Sequence, residues 1–220
     1  MGRIGQEEAI SDIDNACKYA ERHNKYASLM YRSILKDIRA NGISGSYLEM
    51  GAGPGLLAVM VARQNPEVNI TAIDLSPGMA TVANEYINKN GLEKRIRYLV
   101  GDVSDEKMLQ ELGRFNFVYS TFSMHDWKAP EDSLRNLWNS VEDKGILYIY
   151  DFKRIGWLCS LPLRSREIES MRASYSPNEI RDIFGKIGIT DCRVFTSFPF
   201  LFQSIIARKG LTRLCRTLNT

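Results

Sequence analysis

The chain has 220 residues, 44% of them hydrophobic, with 29 Lys and Arg against 26 Asp and Glu for a net charge of +3. That is enough apolar material for one large core and too little excess charge to argue for a nucleic-acid partner. Cys17, Cys159, Cys192 and Cys215 are scattered, with neither a Cys-x-x-Cys pair nor zinc-site spacing, so no metal is expected, and the thiols read as reduced in a cytoplasmic protein.

In chain order, the N-terminus is not followed by a long apolar run, so neither a signal peptide nor a membrane span is expected. Gln6 stands where a myristoylation signal wants Ser or Thr. Ile10, Ile13, Cys17 and Ala20 fall on one helical face, as do Met30, Ile34 and Ile38. Residues 1–45 are therefore expected to form two helices or one broken helix, lying over the site as a lid, with Tyr31 as its candidate acceptor contact.

Tyr47-Leu48-Glu49-Met50 then reads as an apolar strand that turns through Gly51-Ala52-Gly53-Pro54-Gly55 into the apolar run Leu56 to Val59. Glycine allows positive φ and lets backbone approach a ligand closely, so this turn is where an α/β protein grips an extended cofactor. A second strand, Ile70 to Asp74, ends in a carboxylate able to accept from both hydroxyls of a ribose. Ser76-Pro77 starts a helix with Met79, Val82, Ala83, Tyr86 and Ile87 on its apolar face.

Ile96 to Val100 runs into Gly101-Asp102-Val103, and Phe115 to Ser120 runs into Thr121-Phe122-Ser123-Met124-His125-Asp126-Trp127. Leu134, Leu137, Trp138 and Val141 give another helical face, and Ile146 to Tyr150 a fifth strand ended by Asp151. Ser176-Pro177-Asn178-Glu179 is a capping-box signature ahead of Ile180, Ile183, Phe184 and Ile187. Two strand-like runs, Cys192 to Thr196 and Phe202 to Ala207, close the pattern as an antiparallel hairpin. Polar groups thus stand at the C-terminal ends of four successive strands, the edge where open α/β sheets bind ligands.

Four pieces in this order carry a resemblance: Leu48 to Gly55, Asp74-Leu75-Ser76-Pro77-Gly78-Met79, Gly101-Asp102, and Ser123 to Trp127. The chain resembles the class I S-adenosylmethionine-dependent methyltransferases, small-molecule branch, closely over Tyr47 to Asp151 and loosely to about Arg208. The resemblance implies a doubly wound α/β fold: a mostly parallel seven-stranded sheet with an antiparallel C-terminal hairpin strand. It implies that Gly51, Ala52, Gly53 and Gly55 lie against the methionine part and ribose of S-adenosylmethionine, with Glu49 behind them positioning the amino acid end. Asp74 would take the ribose hydroxyls, Leu75 and Met79 would pack beside the adenine, and Asp102 and the Val103 N–H would face its polar edge. Ser120 or Thr121 would contact the amino acid end. For Glu49 the alternative is a carboxylate satisfied by neighbouring backbone, and for Asp74 and Asp102 it is helix or turn capping.

A nicotinamide dehydrogenase fits less well, because the Gly-x-Gly-x-x-Gly fingerprint is matched at only two glycines, with Leu56 at the third position. His125 is the candidate general base, and Asp126 and Trp127 are candidate acceptor contacts on the crevice wall. The chain lacks the Asp/Asn-Pro-Pro-aromatic motif of exocyclic-amine DNA methyltransferases, a Pro-Cys nucleophile and convergent thiols, which leaves a small organic acceptor methylated at O, N or C. The alternative function is a non-catalytic cofactor-binding subunit or sensor.

The whole chain, residues 1–220, reads as a single domain. Its parts are the lid, a cofactor-binding core (46–151), an inserted acceptor-side segment (152–175), the last helix and hairpin (176–208) and a basic tail (209–220). The insert holds Trp157, Leu158, Leu161 and Leu163 beside Arg164, Arg166 and Arg172. The tail alternates Leu211, Leu214, Cys215 and Leu218 with Arg213 and Arg216, a pattern compatible with weak surface docking but not with stable membrane insertion. Sequence leaves the oligomeric state open.

Overall fold

The computed structural model describes residues 12–41, 44–162, 165–197 and 200–210. Leu163, Arg164, Phe198, Pro199 and the tail from Leu211 lie outside the described residues, and so does the docking pattern expected of that tail.

Two helices, α1 (Ile13–Met30) and α2 (Arg32–Asn41), lead into β1 (Gly45–Met50), α3 (Leu56–Gln64), β2 (Val68–Asp74), α4 (Pro77–Lys89) and β3 (Ile96–Val100). After α5 (Glu106–Leu112) and β4 (Phe115–Thr121), a 3-10 turn (Met124–Asp126) precedes α6 (Pro130–Asn139) and β5 (Val141–Phe152). The short α7 (Gly156–Cys159), then α8 (Arg166–Ala173), α9 (Pro177–Lys186), β6 (Cys192–Ser197) and β7 (Phe202–Arg208) complete the order.

The seven strands form one sheet in the order β3-β2-β1-β4-β5-β7-β6. β1 pairs in parallel with both β2 and β4, so the strand order reverses at the centre of the sheet and opens a crevice beyond the C-terminal end of β1. β7 is antiparallel to β5 and to β6, as the hairpin pattern predicts. One apolar layer packs α1 to α4 on one face, through residues such as Ile34, Leu57 and Ala83. A second packs α5, α6 and α9 on the other, through Leu109, Leu137 and Phe184.

Local rules account for the helix starts. Ser76 accepts from the Met79 N–H with Pro77 in the first turn, and Ser176 and Glu179 form the reciprocal capping box that satisfies two otherwise orphaned donors. One expectation is corrected. Val141 opens β5 and does not belong to α6, because Ser140 caps that helix and the β-branched valine pairs with Phe115 before the strand bulges toward Ile146. On α1, Ile13 and Cys17 are exposed, and Ala16 and Ala27 are buried instead, small residues that let the helix lie close to its neighbours.

Candidate active site

The turn after β1 is held from below. The N–H groups of Gly51 and Ala52 both donate to the carbonyl of Ile73, at 2.8 and 3.0 Å, which bends the chain out of the sheet. Gly51 has φ 74°, and a Cβ there would stand 2.4 Å from Ser123 Oγ, so both backbone conformation and space demand glycine. Gly53 differs: its φ is 52°, yet a Cβ would meet nothing within 4 Å. Protein packing leaves the space above Gly53 open on the crevice side of the turn.

Asp74, at the end of β2, faces the same turn. Its Oδ2 accepts from the Gly53 N–H at 2.8 Å and its Oδ1 from the Ser76 N–H at 2.9 Å, tying the glycine turn to the start of α4. Burial raises its pKa, and the backbone donors oppose the shift. Each carboxylate oxygen still has acceptor capacity, so capping and ligand contact are compatible. The Tyr98 hydroxyl donates to the Gly53 carbonyl and braces the turn from β3, a contact that motif reading missed.

Glu49 is fully buried, and its hydrogen-bond donor is the Tyr119 hydroxyl at 2.9 Å, not neighbouring backbone. Burial pushes its pKa up to about 8, Tyr119 opposes the shift and the nearby Asp74 adds to it. A protonated carboxyl at that position becomes an anion if a cation arrives.

The other expected cofactor residues are gathered less uniformly. Met79 and Val103 are buried, whereas Leu75 is 53% exposed. Asp102 is exposed, and its Oδ1 accepts from the Ser104 N–H at 2.8 Å in a turn ahead of α5, whose N-cap is Asp105. Ser120 and Thr121 are buried at the end of β4, and Ser120 Oγ has no hydrogen-bond partner among the described residues. A buried hydroxyl without a partner at a ligand edge fits a polar group supplied from outside the chain.

His125 is buried in the 3-10 turn. Its Nδ1 lies 2.7 Å from Asp151 Oδ1, and its backbone N–H donates to Asp151 Oδ2 at 2.9 Å. A carboxylate only accepts, so Nδ1 carries the proton and the lone pair of a neutral ring is on Nε2. Nε2 is 3.5 Å from Oδ2 of the half-exposed Asp126. Trp127 is buried, with Nε1 donating to Ser123 Oγ at 3.1 Å. Asp151 stands next to last in β5 beside this turn, and its place at the strand's C-terminal end was its only sequence signal.

Two further features cover this edge, neither visible in any motif. Phe122, at φ 53°, sits in ring contact with Tyr150, Phe152 and Phe202 at centroid distances of 5.4 to 5.8 Å. Tyr19 of α1 stacks on His23 at 3.7 Å, and the Arg166 guanidinium of α8 lies 5.4 Å from the Tyr19 ring. Burial raises the Tyr19 pKa, Arg166 opposes the shift, and Asp74 and Asp126 add to it. Tyr31, at the C-terminal end of α1, is buried and feels Tyr19 and Glu49.

Residues 48–145 match the protein family described as a methyltransferase domain. Over those residues the chain carries a class I S-adenosylmethionine-dependent methyltransferase domain. Family membership rests on the stretch that carries the glycine turn, Asp74, Asp102 and the His125 turn. Among the chain's relatives are an N,N-dimethyltransferase, OxyT, of Streptomyces rimosus, 26% identical over 142 residues, covering 64% of this chain and 40% of that protein. A mitochondrial ubiquinone biosynthesis O-methyltransferase of Saccharomyces cerevisiae is 29% identical over 121 residues, covering 53% and 37%. The chain thus spans less than half the length of both. A solved methyltransferase from Aquifex aeolicus superposes with a TM-score of 0.66 over 90% of this chain and 98% of that one. At 19% identity, that likeness speaks for the fold alone.

Among the described residues there is no group of three or more His, Cys, Asp or Glu side chains able to hold a metal. Nor is any described helix long and apolar enough to cross a membrane.

Proposed function

We propose that this chain binds S-adenosylmethionine across the glycine turn and transfers its methyl group to a small organic acceptor held beside His125. The observation that carries the reading is the shape of one edge. The open space at Gly53, the Asp74 carboxylate and the Ser120 Oγ, without a hydrogen-bond partner among the described residues, all stand at the C-terminal edge of the sheet, where the His125–Asp151 pair also lies. The cofactor supplies an activated methyl group on a sulfonium.

The chain's residues have positioning work to do. In this reading Asp74 accepts from the ribose hydroxyls, Met79 and Leu75 flank the adenine, and the Val103 N–H and Asp102 meet its polar edge. Gly51, Ala52, Gly53 and Gly55 let the backbone approach, Ser120 and Thr121 orient the amino acid end, and Glu49 answers its positive charge. Asp151 fixes the His125 ring so that Nε2 faces the acceptor side, ready to take a proton from an acceptor that arrives protonated. Tyr31, Asp126 and Trp127 line that side, and α1 and α2 close over it. Holding donor and acceptor in line is the larger contribution, because the methyl group needs no further activation.

Small-molecule chemistry in the Saccharomyces relative's name and the lack of a strong positive charge both favour a metabolite over nucleic acid. The free thiols Cys17, Cys159 and Cys192 fit a reducing cytoplasm. Incubation with methyl-labelled S-adenosylmethionine and a panel of hydroxylated, amino and carboxylic metabolites tests the proposal. Label should move to at least one acceptor. A chain that binds the cofactor but labels none is a binding subunit.

A further inference from the structure

A cavity of about 620 Å³ opens past the end of β5, outside the cofactor crevice. Its walls include Ile155, Trp157, Leu158, Phe200 and Leu201, and Lys153, the residue after β5, also lines it. The size is that of a small-molecule site, and such sites are mostly apolar with few polar groups. Trp157 is 71% exposed and Phe200 60% exposed, large aromatic surfaces that a folded protein ordinarily covers. Phe200 also holds φ 70°, a conformation unfavourable for an aromatic residue and concentrated at ligand-facing positions.

The two cations at this cavity are not equivalent. Arg154 is neutralised by Glu179. Lys153 makes no ion pair among the described residues, so one positive charge is left at an otherwise apolar cavity. We propose that the cavity binds an apolar organic acid: an aromatic or aliphatic body against Trp157, Leu158 and Phe200, with its carboxylate on the Lys153 ammonium.

This deepens the methyltransferase reading and rests on it for one step, the identification of that acid with the methyl acceptor. Lys153 comes two residues after Asp151, just past the end of β5, and its bridge to Tyr175 keeps the chain extended there, so about 7 Å of backbone separates the two. Asp151 holds His125. An acceptor whose nucleophilic atom meets His125 would thus reach the cavity with the far end of a molecule about one ring long.

Trp157 makes the test independent of turnover. The full chain is titrated with 4-phenylbutyrate and with its neutral isostere 4-phenylbutyramide while tryptophan fluorescence is followed, and Trp157→Phe identifies the responding residue. The acid should bind at least tenfold more tightly than the amide, and Lys153→Met should erase that preference without changing the affinity for S-adenosylhomocysteine. Equal binding of acid and amide, or a preference that survives Lys153→Met, overturns the inference. Acid preference in a chain that fails to bind S-adenosylhomocysteine leaves the cavity's ligand standing and removes the methyltransferase reading instead.

Discussion

Replacing Glu49 by Gln tests the buried carboxyl through its proton. Glu49 is raised from 4.5 to about 8 chiefly by burial, so between those values the native chain holds a proton that the unfolded chain has released. Stability must therefore fall as pH rises, by at most about 1.4 kcal/mol per pH unit across that window. The contribution is fully present below pH 4.5 and gone once pH passes about 8. Glu49→Gln keeps the shape and the Tyr119 contact but cannot ionise, so its urea-unfolding curve should lose this slope and overtake wild type at pH 8. The same proton should be expelled when the cationic amino acid end of the cofactor arrives. Near pH 7 the calorimetric heat of binding should vary with the ionisation enthalpy of the buffer in wild type, and less so in Glu49→Gln. Identical pH slopes in the two proteins between pH 5 and 8 would refute the assignment of the proton to Glu49.

Gly51→Ala should cost about 2–4 kcal/mol in urea unfolding, since it adds left-handed strain to a clash with Ser123, and Ser123→Gly should restore the steric part. Gly53→Ala carries the strain without the clash, so it should lose only about 1–2 kcal/mol of stability yet bind S-adenosylhomocysteine at least tenfold more weakly; unchanged binding would remove the ligand from above that glycine. His125→Ala should reduce methyl transfer about a hundredfold with cofactor affinity unchanged, whereas a parallel loss of both would make the ring a pocket wall.

Legibility in the sequence followed the range of the forces involved. Strands β1 to β4, the capping box at Ser176 and the antiparallel end of the sheet were readable because apolar runs, caps and glycine turns are local signals. Glu49, Asp74 and His125 were found through the strand ends that carry them. Their partners were not, since Tyr119 meets Glu49 and Asp151 meets His125 across 70 and 26 residues of chain. The Tyr19–Arg166 contact joins α1 to α8, and no periodicity encodes that pairing. Val141 misled because it continues the helical spacing of α6, and only its pairing with Phe115 turns it into strand. Asp102 had two sequence readings; its carboxylate closes a turn onto the Ser104 N–H, and Asp105 caps the helix that follows.

Calorimetric titration of the full chain with S-adenosylhomocysteine and, separately, with NAD tests the cofactor assignment most directly. Saturable micromolar binding of S-adenosylhomocysteine is expected, with no binding of NAD. Asp74→Ala should weaken that binding by about 1.5–3 kcal/mol for each charge-assisted hydrogen bond lost, at least tenfold in all. Tight NAD binding without a response to S-adenosylhomocysteine, or an Asp74→Ala affinity within about twofold of wild type, would contradict the account at its centre.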